Sequence, residues 1–234
     1  MNSDKANFQM KAIIFDSSTL INFAINGLLQ EFRELKKLFG GKFLITKEIV
    51  GEIVDKPMKI KRFELEALKI KELIMDNVLE MPSSLGIDEK EISRMTAEVL
   101  NITNNTFFGK GNAMQIIDLG EASCLALAKL LDEKGIKNVI SVDERTVRLL
   151  CEKPENLLAI FQKKLHTDVK FKKENLNSFR DFKFIRSTEL IFIAYKKGIV
   201  RLRDHNSVLD ALLYAMKLNG CSISEDEINE MKRL

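Results

Sequence analysis

The chain has 234 residues, 45% of them apolar and 30% charged, with a formal net charge of +3. This composition is ordinary for a globular protein, and no apolar run reaches the length of a membrane-spanning helix. The three cysteines are far apart and form no C-x-x-C pair, so neither a zinc site nor a disulfide framework is indicated. The two histidines, His166 and His205, match no metal-binding motif.

Residues 1–9 are polar and lack the apolar stretch of a signal peptide, so we expect a disordered leader and a cytoplasmic protein without a membrane partner. From residue 10 onward, short apolar runs alternate with segments of helical periodicity. The predicted strands are 11–15, 42–45, 78–81, 139–142 and 182–185. The predicted helices are 17–24, 28–39, one that follows Thr46, 58–78, 87–100, 118–131, 144–151, 157–165, 188–197, 207–218 and a short last one after Ser224.

This alternation predicts an α/β fold, a single three-layer α/β/α domain over 10–234 with a mainly parallel central sheet. Segments at about 56–117 and 152–182 lengthen the pattern and are interpreted as two insertions in that domain. The polar, glycine-containing stretch 101–112 is predicted to be a mobile loop.

Four acidic residues stand at boundaries between predicted elements. Asp16 and Asp143 each follow an apolar strand, and ligands of open α/β sheets bind at the carboxyl ends of strands. Glu52 falls on the helix after the second strand, and Glu121 falls in the first turn of an apolar helix. Each has a structural alternative. Both aspartates could be helix N-caps, Glu52 could be a solvent-facing helix residue, and Asp118 precedes Glu121 at the spacing of a capping box.

The surroundings of these four residues resemble, in order, the motifs of the PIN-domain family. The similar segments are 13–21 (IIFDSSTLI), 45–52 (ITKEIVGE), 119–128 (LGEASCLALA) and 139–148 (VISVDERTVR). The tail at 184–231 is similar to that of a toxin-like subgroup of prokaryotic PIN proteins with a helical C-terminus.

The resemblance implies a metal-dependent nuclease, most simply an endoribonuclease that hydrolyses single-stranded RNA. It implies that Asp16, Glu121 and Asp143 ligate Mg²⁺ or Mn²⁺, and that Glu52 completes the catalytic site or accepts the proton of the attacking water. Ser18 is expected to orient a carboxylate from outside the metal's own ligands. Clustered carboxylates repel one another unless a cation neutralises them, and oxygen ligands suit these two metals.

A basic stretch is the candidate contact for nucleic acid, and a solvated surface is its structural alternative. Its predicted phosphate-binding residues are Lys163, Lys164, Lys172, Lys173 and Arg186. The family resemblance also implies a toxin held by a small antitoxin, or equally an RNA-processing enzyme. The apolar face of 207–218 could serve an antitoxin, a homodimer or the core.

Two rival functions are weighed against the nuclease. A phosphatase of the haloacid-dehalogenase type would need a second aspartate where Ser18 stands, and P-loop and Rossmann glycine patterns are absent from the sequence. The stronger rival is a non-catalytic module for nucleic-acid binding or scaffolding, in which the acidic pocket is unused.

Overall fold

A computed structural model describes residues 10–202 and 207–234, so the predicted leader at 1–9 and His205 lie outside the described residues. The strands are β1 (Lys11–Phe15), β2 (Lys42–Leu44), β3 (Phe107–Gly109), β4 (Asn112–Ala113), β5 (Lys137–Ser141), β6 (Val169–Phe171) and β7 (Phe184–Ile185). The helices are α1 (Ser17–Ile25), α2 (Leu29–Phe39), α3 (Lys47–Val50), α4 (Glu64–Met75), α5 (Glu89–Asn104), α6 (Leu119–Glu133), α7 (Arg145–Glu152), α8 (Pro154–Leu165), α9 (Lys173–Leu176), α10 (Ser187–Lys196), α11 (Val208–Leu218) and α12 (Glu225–Arg233). Helix α3 continues directly into a π-helical segment, Gly51–Asp55.

Four strands form one parallel sheet in the order β2-β1-β5-β7. Ala12 to Phe15 of the central strand β1 are all buried, so both faces of the sheet are covered there. A parallel bridge between Leu44 and Glu80 adds a fifth segment next to β2. This bridge stands where a whole strand was predicted, at 78–81. The predicted α/β class with a mainly parallel sheet is confirmed.

Buried phenylalanines fix α1 and α2 against the first two strands. Phe32 of α2 contacts Phe15 of β1 and Phe43 of β2, with ring centroids 4.9 and 5.2 Å apart, and Phe23 of α1 at 5.3 Å. Aromatic pairs at these separations stabilise a core beyond the area that they bury. The cluster holds the start of α1 at the carboxyl end of β1, where the predicted site begins.

The stretch 101–112 differs from the predicted loop. Helix α5 extends to Asn104, and β3 and β4 then form a hairpin whose turn residues, Lys110 and Gly111, both have positive φ, 51° and 82°. Two positive φ angles in a two-residue turn match the right-handed twist of the flanking strands. The helix predicted at 58–78 is also shorter than expected, because a 3₁₀ turn at Pro57–Lys59 precedes α4.

The two predicted insertions pair with each other. Strand β3, from the first, pairs antiparallel with β6, from the second, and the smaller sheet has the order β4-β3-β6. The backbone N–H of Lys172 donates to the Thr106 carbonyl at 2.9 Å, which continues this pairing beyond the strands. Among the described residues, no helix has the length and apolar character needed to cross a bilayer.

Candidate metal site between β1, α6 and the π-helical segment

Asp16 lies where β1 ends and α1 begins, and only 4% of its surface is exposed. Its Oδ2 accepts hydrogen bonds from the Ser18 backbone N–H at 3.0 Å and from the Ser18 hydroxyl at 2.5 Å. The same hydroxyl accepts from the backbone N–H of Asp143 at 3.0 Å. Ser18 therefore connects the Asp16 carboxylate, after β1, to the backbone of Asp143, after β5. The hydrogen bond that was expected between Ser18 and a carboxylate is present.

Glu121 belongs to a reciprocal capping box at the start of α6. Its backbone N–H donates to Asp118 Oδ1 at 2.8 Å, and its Oε2 accepts from the Asp118 backbone N–H at 3.0 Å. Two of the unpaired N–H groups at this helix start are thereby satisfied. The structural alternative considered for Glu121 is thus realised, and its carboxyl group is also buried, at 8% exposure.

Glu52 approaches α6 through the space that Gly120 leaves open. A Cβ added to Gly120 would lie 2.7 and 2.8 Å from the two Glu52 carboxylate oxygens. The missing side chain therefore lets Glu52, on the π-helical segment, reach the first turn of α6. The Ser17 hydroxyl, at the start of α1, lowers the pKa of the Glu52 carboxyl group. Glu52 thus lies between the elements that carry Asp16 and Glu121.

These carboxyl groups lie close together without a cation paired to any of them. Burial, together with the smaller effect of the Asp118 charge, raises the pKa of Asp16 to about 6 and that of Glu121 to about 8. Burial, and then the charge of Asp118, also raise the pKa of Glu52. Among the described residues, none of these four groups forms an ion pair with lysine or arginine. Buried like charges of this kind favour protonation or a bound cation.

The Asp143 side chain lies in a separate buried network. Its Oδ1 accepts from the Ser187 N–H, and its Oδ2 accepts from the Ser187 hydroxyl and from Asn22 Nδ2, each at 2.7 Å. Asn22 also donates to the Met216 carbonyl at 2.9 Å. Asp143 therefore ties the end of β5 to α1, α10 and α11. These hydrogen bonds of its carboxylate belong to this network, and its backbone N–H reaches the Ser18 hydroxyl that also holds Asp16.

Replacing Asn22 by alanine is expected to lower the free energy of unfolding by about 2–3 kcal/mol. The change leaves the buried Asp143 carboxylate and the Met216 carbonyl each without one donor. Urea unfolding followed by circular dichroism would measure the loss, with Asn101→Ala on the exposed surface of α5 as the matched control. A loss of less than about 0.5 kcal/mol would show that this network is not a structural tie.

Two residues of this region escaped the sequence interpretation. The sequence indicates only a capping role for Asp118. In the structure, its charge raises the pKa of Glu52 and of Glu121 more than any other charge does. Asn22 received no role, although an asparagine in the apolar helix segment LINFAI is itself a sign of a buried polar contact.

The predicted phosphate-binding residues divide into two groups. Lys163, Lys164, Lys172 and Lys173 are exposed. Arg186 instead donates from Nε to Glu189 Oε1 at 2.8 Å and from Nη1 to Glu227 Oε1 at 2.9 Å. Although burial opposes it, these two carboxylates raise the pKa of Arg186, and its charge is already paired inside the protein.

Metal ligation would require side-chain rearrangement. Within 10–202 and 207–234, no three His, Cys, Asp or Glu side chains already surround a point where one metal ion could bind. The acidic cluster of Asp16, Glu52, Asp118 and Glu121 nevertheless offers only carboxylate oxygens as donors, which suit Mg²⁺ or Mn²⁺. Glu121 uses only Oε2 to accept from the Asp118 N–H, so its Oε1 could bind a metal while the capping box persists. The residues therefore fit such an ion in chemistry and charge.

Comparison of the chain with protein-family models, with curated proteins and with solved structures returned no match. The geometry and charge of the acidic cluster formed by Asp16, Glu52, Asp118 and Glu121 are therefore the features that indicate a function.

Proposed function

We propose that the protein is a metal-dependent nuclease with a PIN-like three-layer fold, and that it hydrolyses phosphodiester bonds of single-stranded RNA. One observation supports this most directly. The carboxyl groups of Asp16 and Glu121 are buried beside Glu52 and Asp118, and no ion pair with a described residue compensates their charge. Such a site is costly for a fold to retain unless a cation binds there.

The residues proposed to hold Mg²⁺ or Mn²⁺ are Asp16, Glu52 and Glu121, with Asp118 as a further carboxylate. Asp143 would join them by giving up its hydrogen bonds with Ser187 and Asn22. When bound, such an ion lowers the pKa of a water and neutralises charge on the phosphate. Ser18 keeps the Asp16 carboxylate in one orientation through its two hydrogen bonds. If Glu52 does not bind the ion, it is the most suitable proton acceptor, because it is only half-buried and its pKa is raised.

The exposed lysines of the segment 152–182 supply positive charge for the substrate's phosphates. Lys163 and Lys164 lie in the last turn of α8, Lys172 directly precedes α9, and Lys173 is the first residue of α9. Their attraction for phosphate is independent of sequence and weakens with salt. A small antitoxin or a second copy of the chain remains a proposed partner from the family resemblance, and RNA processing remains the other biological setting.

The non-catalytic module is the second candidate, because the acidic residues also have structural roles. Asp16 caps α1 and Glu121 completes the capping box of α6. A scaffold that needed only these caps would keep the same residues without binding a metal.

Removal of the metal separates the two candidates. The purified full chain is expected to cleave a 5′-labelled single-stranded RNA with Mn²⁺, to lose that activity in excess EDTA, and to regain it when Mn²⁺ is restored in excess. Denaturing gels would follow the products, with single-stranded DNA assayed in parallel. No cleavage of either strand with Mn²⁺ or Mg²⁺ would favour the non-catalytic module.

A further inference from the structure

The small sheet made by β3, β4 and β6 has two chemically different faces. In its register Phe107 pairs with Phe171 and Phe108 pairs with Lys170, and side chains alternate between faces along each strand. The inner face packs Phe107 against Phe161 and Phe171, with centroids 5.7 and 5.6 Å away. The inner face is therefore core, and the residues that alternate with it face outward.

The outer face combines an aromatic ring with lysines. Phe108 is only partly buried, and Lys172 Nζ lies 4.9 Å above the centroid of its ring. Lys170, directly across from Phe108, is exposed, and its one ion pair, with Asp168 at 3.6 Å, is between highly exposed side chains. Such an ion pair contributes little and exchanges readily for another anion. Lys110 adds a further exposed lysine at the turn of the hairpin.

This face also lies near the acidic cluster. Ala113 of β4 pairs with Phe108, and Asp118 of the cluster follows Ala113 after four residues. Five residue steps span at most roughly 17 Å when fully extended. That distance corresponds to roughly five stacked nucleotides at 3.4 Å each. A single nucleic-acid strand that is bound across the small sheet can therefore reach the acidic cluster.

We propose that this outer face, formed by Phe108, Lys110, Lys170 and Lys172, binds single-stranded nucleic acid. One base stacks on the Phe108 ring, Lys172 swings from the ring to a phosphate, and Lys110 and Lys170 contact neighbouring phosphates. Stacking on an aromatic side chain tolerates any base and requires that the bases be unpaired. The inference deepens the proposed nuclease function by naming where its substrate lies, but the binding itself needs no metal.

Binding is best measured without cleavage, on the full chain carrying Asp16→Asn in EDTA. Fluorescence anisotropy with a labelled 12-nucleotide single-stranded RNA, the same sequence as DNA, and an RNA duplex would give three dissociation constants. We expect the single strands to bind more tightly than the duplex. Phe108→Leu, which keeps an apolar side chain, and Lys172→Gln should each weaken single-strand binding about 10-fold. Lys172→Arg should retain binding.

The matched controls are residues of the first predicted insertion, at about 56–117, that lie outside the small sheet. Phe63→Leu removes another partly exposed ring, and Lys71→Gln removes another exposed lysine, both outside the small sheet. Neither should change the affinity, and melting curves would verify that every variant is folded. Equal affinities for Phe108→Leu, Lys172→Gln and the parent, a duplex bound as tightly as the single strands, or no binding by the parent would each overturn the inference. If binding is tight and depends on Phe108, but the unmodified chain cleaves no nucleic acid with Mn²⁺ or Mg²⁺, only the nuclease proposal is overturned.

Discussion

Replacing Asp16 by asparagine is expected to lower the rate of RNA hydrolysis at least about 100-fold while leaving the chain folded. Asparagine has nearly the same shape, and its amide oxygen can accept the two Ser18 hydrogen bonds that hold the carboxylate now. What it loses is the negative charge, which is the property that a metal ligand contributes. The expected effect is therefore on catalysis and metal affinity rather than on folding.

Single-turnover cleavage with Mn²⁺ would measure this change, because it reports the chemical step apart from product release. Asp55→Asn is the matched control, since Asp55 is an exposed aspartate on the same π-helical segment as Glu52. Its rate should equal that of the unmodified protein. If Asp16→Asn cleaved RNA as fast as Asp55→Asn, the activity would come from another site or another protein, and the acidic cluster would lose its proposed role.

The position of Asp16 was predictable because a single local rule determines it. A residue that directly follows a buried parallel strand lies at the sheet's carboxyl edge, and β1 does end at Phe15. Asp143 follows the same rule less closely, because β5 ends two residues earlier, at Ser141. The strand therefore does not determine the direction of the Asp143 side chain. The carboxylate turns towards Ser187 and Asn22, whose arrival beside it depends on where α10 and α1 pack. No local pattern carries that information.

The approach of Glu52 to Gly120 is likewise a long-range property. The sequence motif placed a glutamate on a helix after β2, but only the packing of α3 against α6 brings its oxygens over a residue without a side chain. The small sheet is a further case. Its turn, Lys110-Gly111, lies in the stretch predicted as a loop, because lysine is an unusual first residue for a two-residue turn in which both φ angles are positive. Its pairing with β6, more than fifty residues later, was not predictable from a local pattern.

The protonation of Glu121 leads to a second large effect, on stability rather than activity. Its pKa in the folded chain is about 8, against an ordinary value of 4.5, because burial penalises the charged form. Between these values the folded chain holds more protons than the unfolded chain. The free energy of unfolding of the metal-free protein therefore falls as the pH rises from about 4 to about 8. Asp16, with a pKa of about 6, contributes to the lower half of the same interval.

Glu121→Gln is consequently expected to stabilise the metal-free protein by about 3–5 kcal/mol at pH 8.5 and by less than about 1 kcal/mol at pH 5. Glutamine carries no charge to bury, and its amide oxygen can still accept from the Asp118 N–H, as glutamine does in capping boxes. Urea unfolding in EDTA at the two pH values would measure both differences. Glu133→Gln, an exposed change at the other end of α6, is the control and should show no pH-dependent gain.

The same titration with Mn²⁺ connects stability to function. A cation that binds only the folded state raises its stability by an amount set by its concentration over its dissociation constant. The unmodified protein should therefore gain stability from Mn²⁺ at pH 8.5, whereas Glu121→Gln should gain little, so that the advantage of the variant shrinks or reverses. If glutamine gave no advantage in EDTA, or Mn²⁺ stabilised both proteins equally, the Glu121 charge would not be the group that the metal neutralises. A residue that destabilises the metal-free protein and stabilises the metal-bound one acts as a metal ligand, whereas a buried cap would show only the first effect.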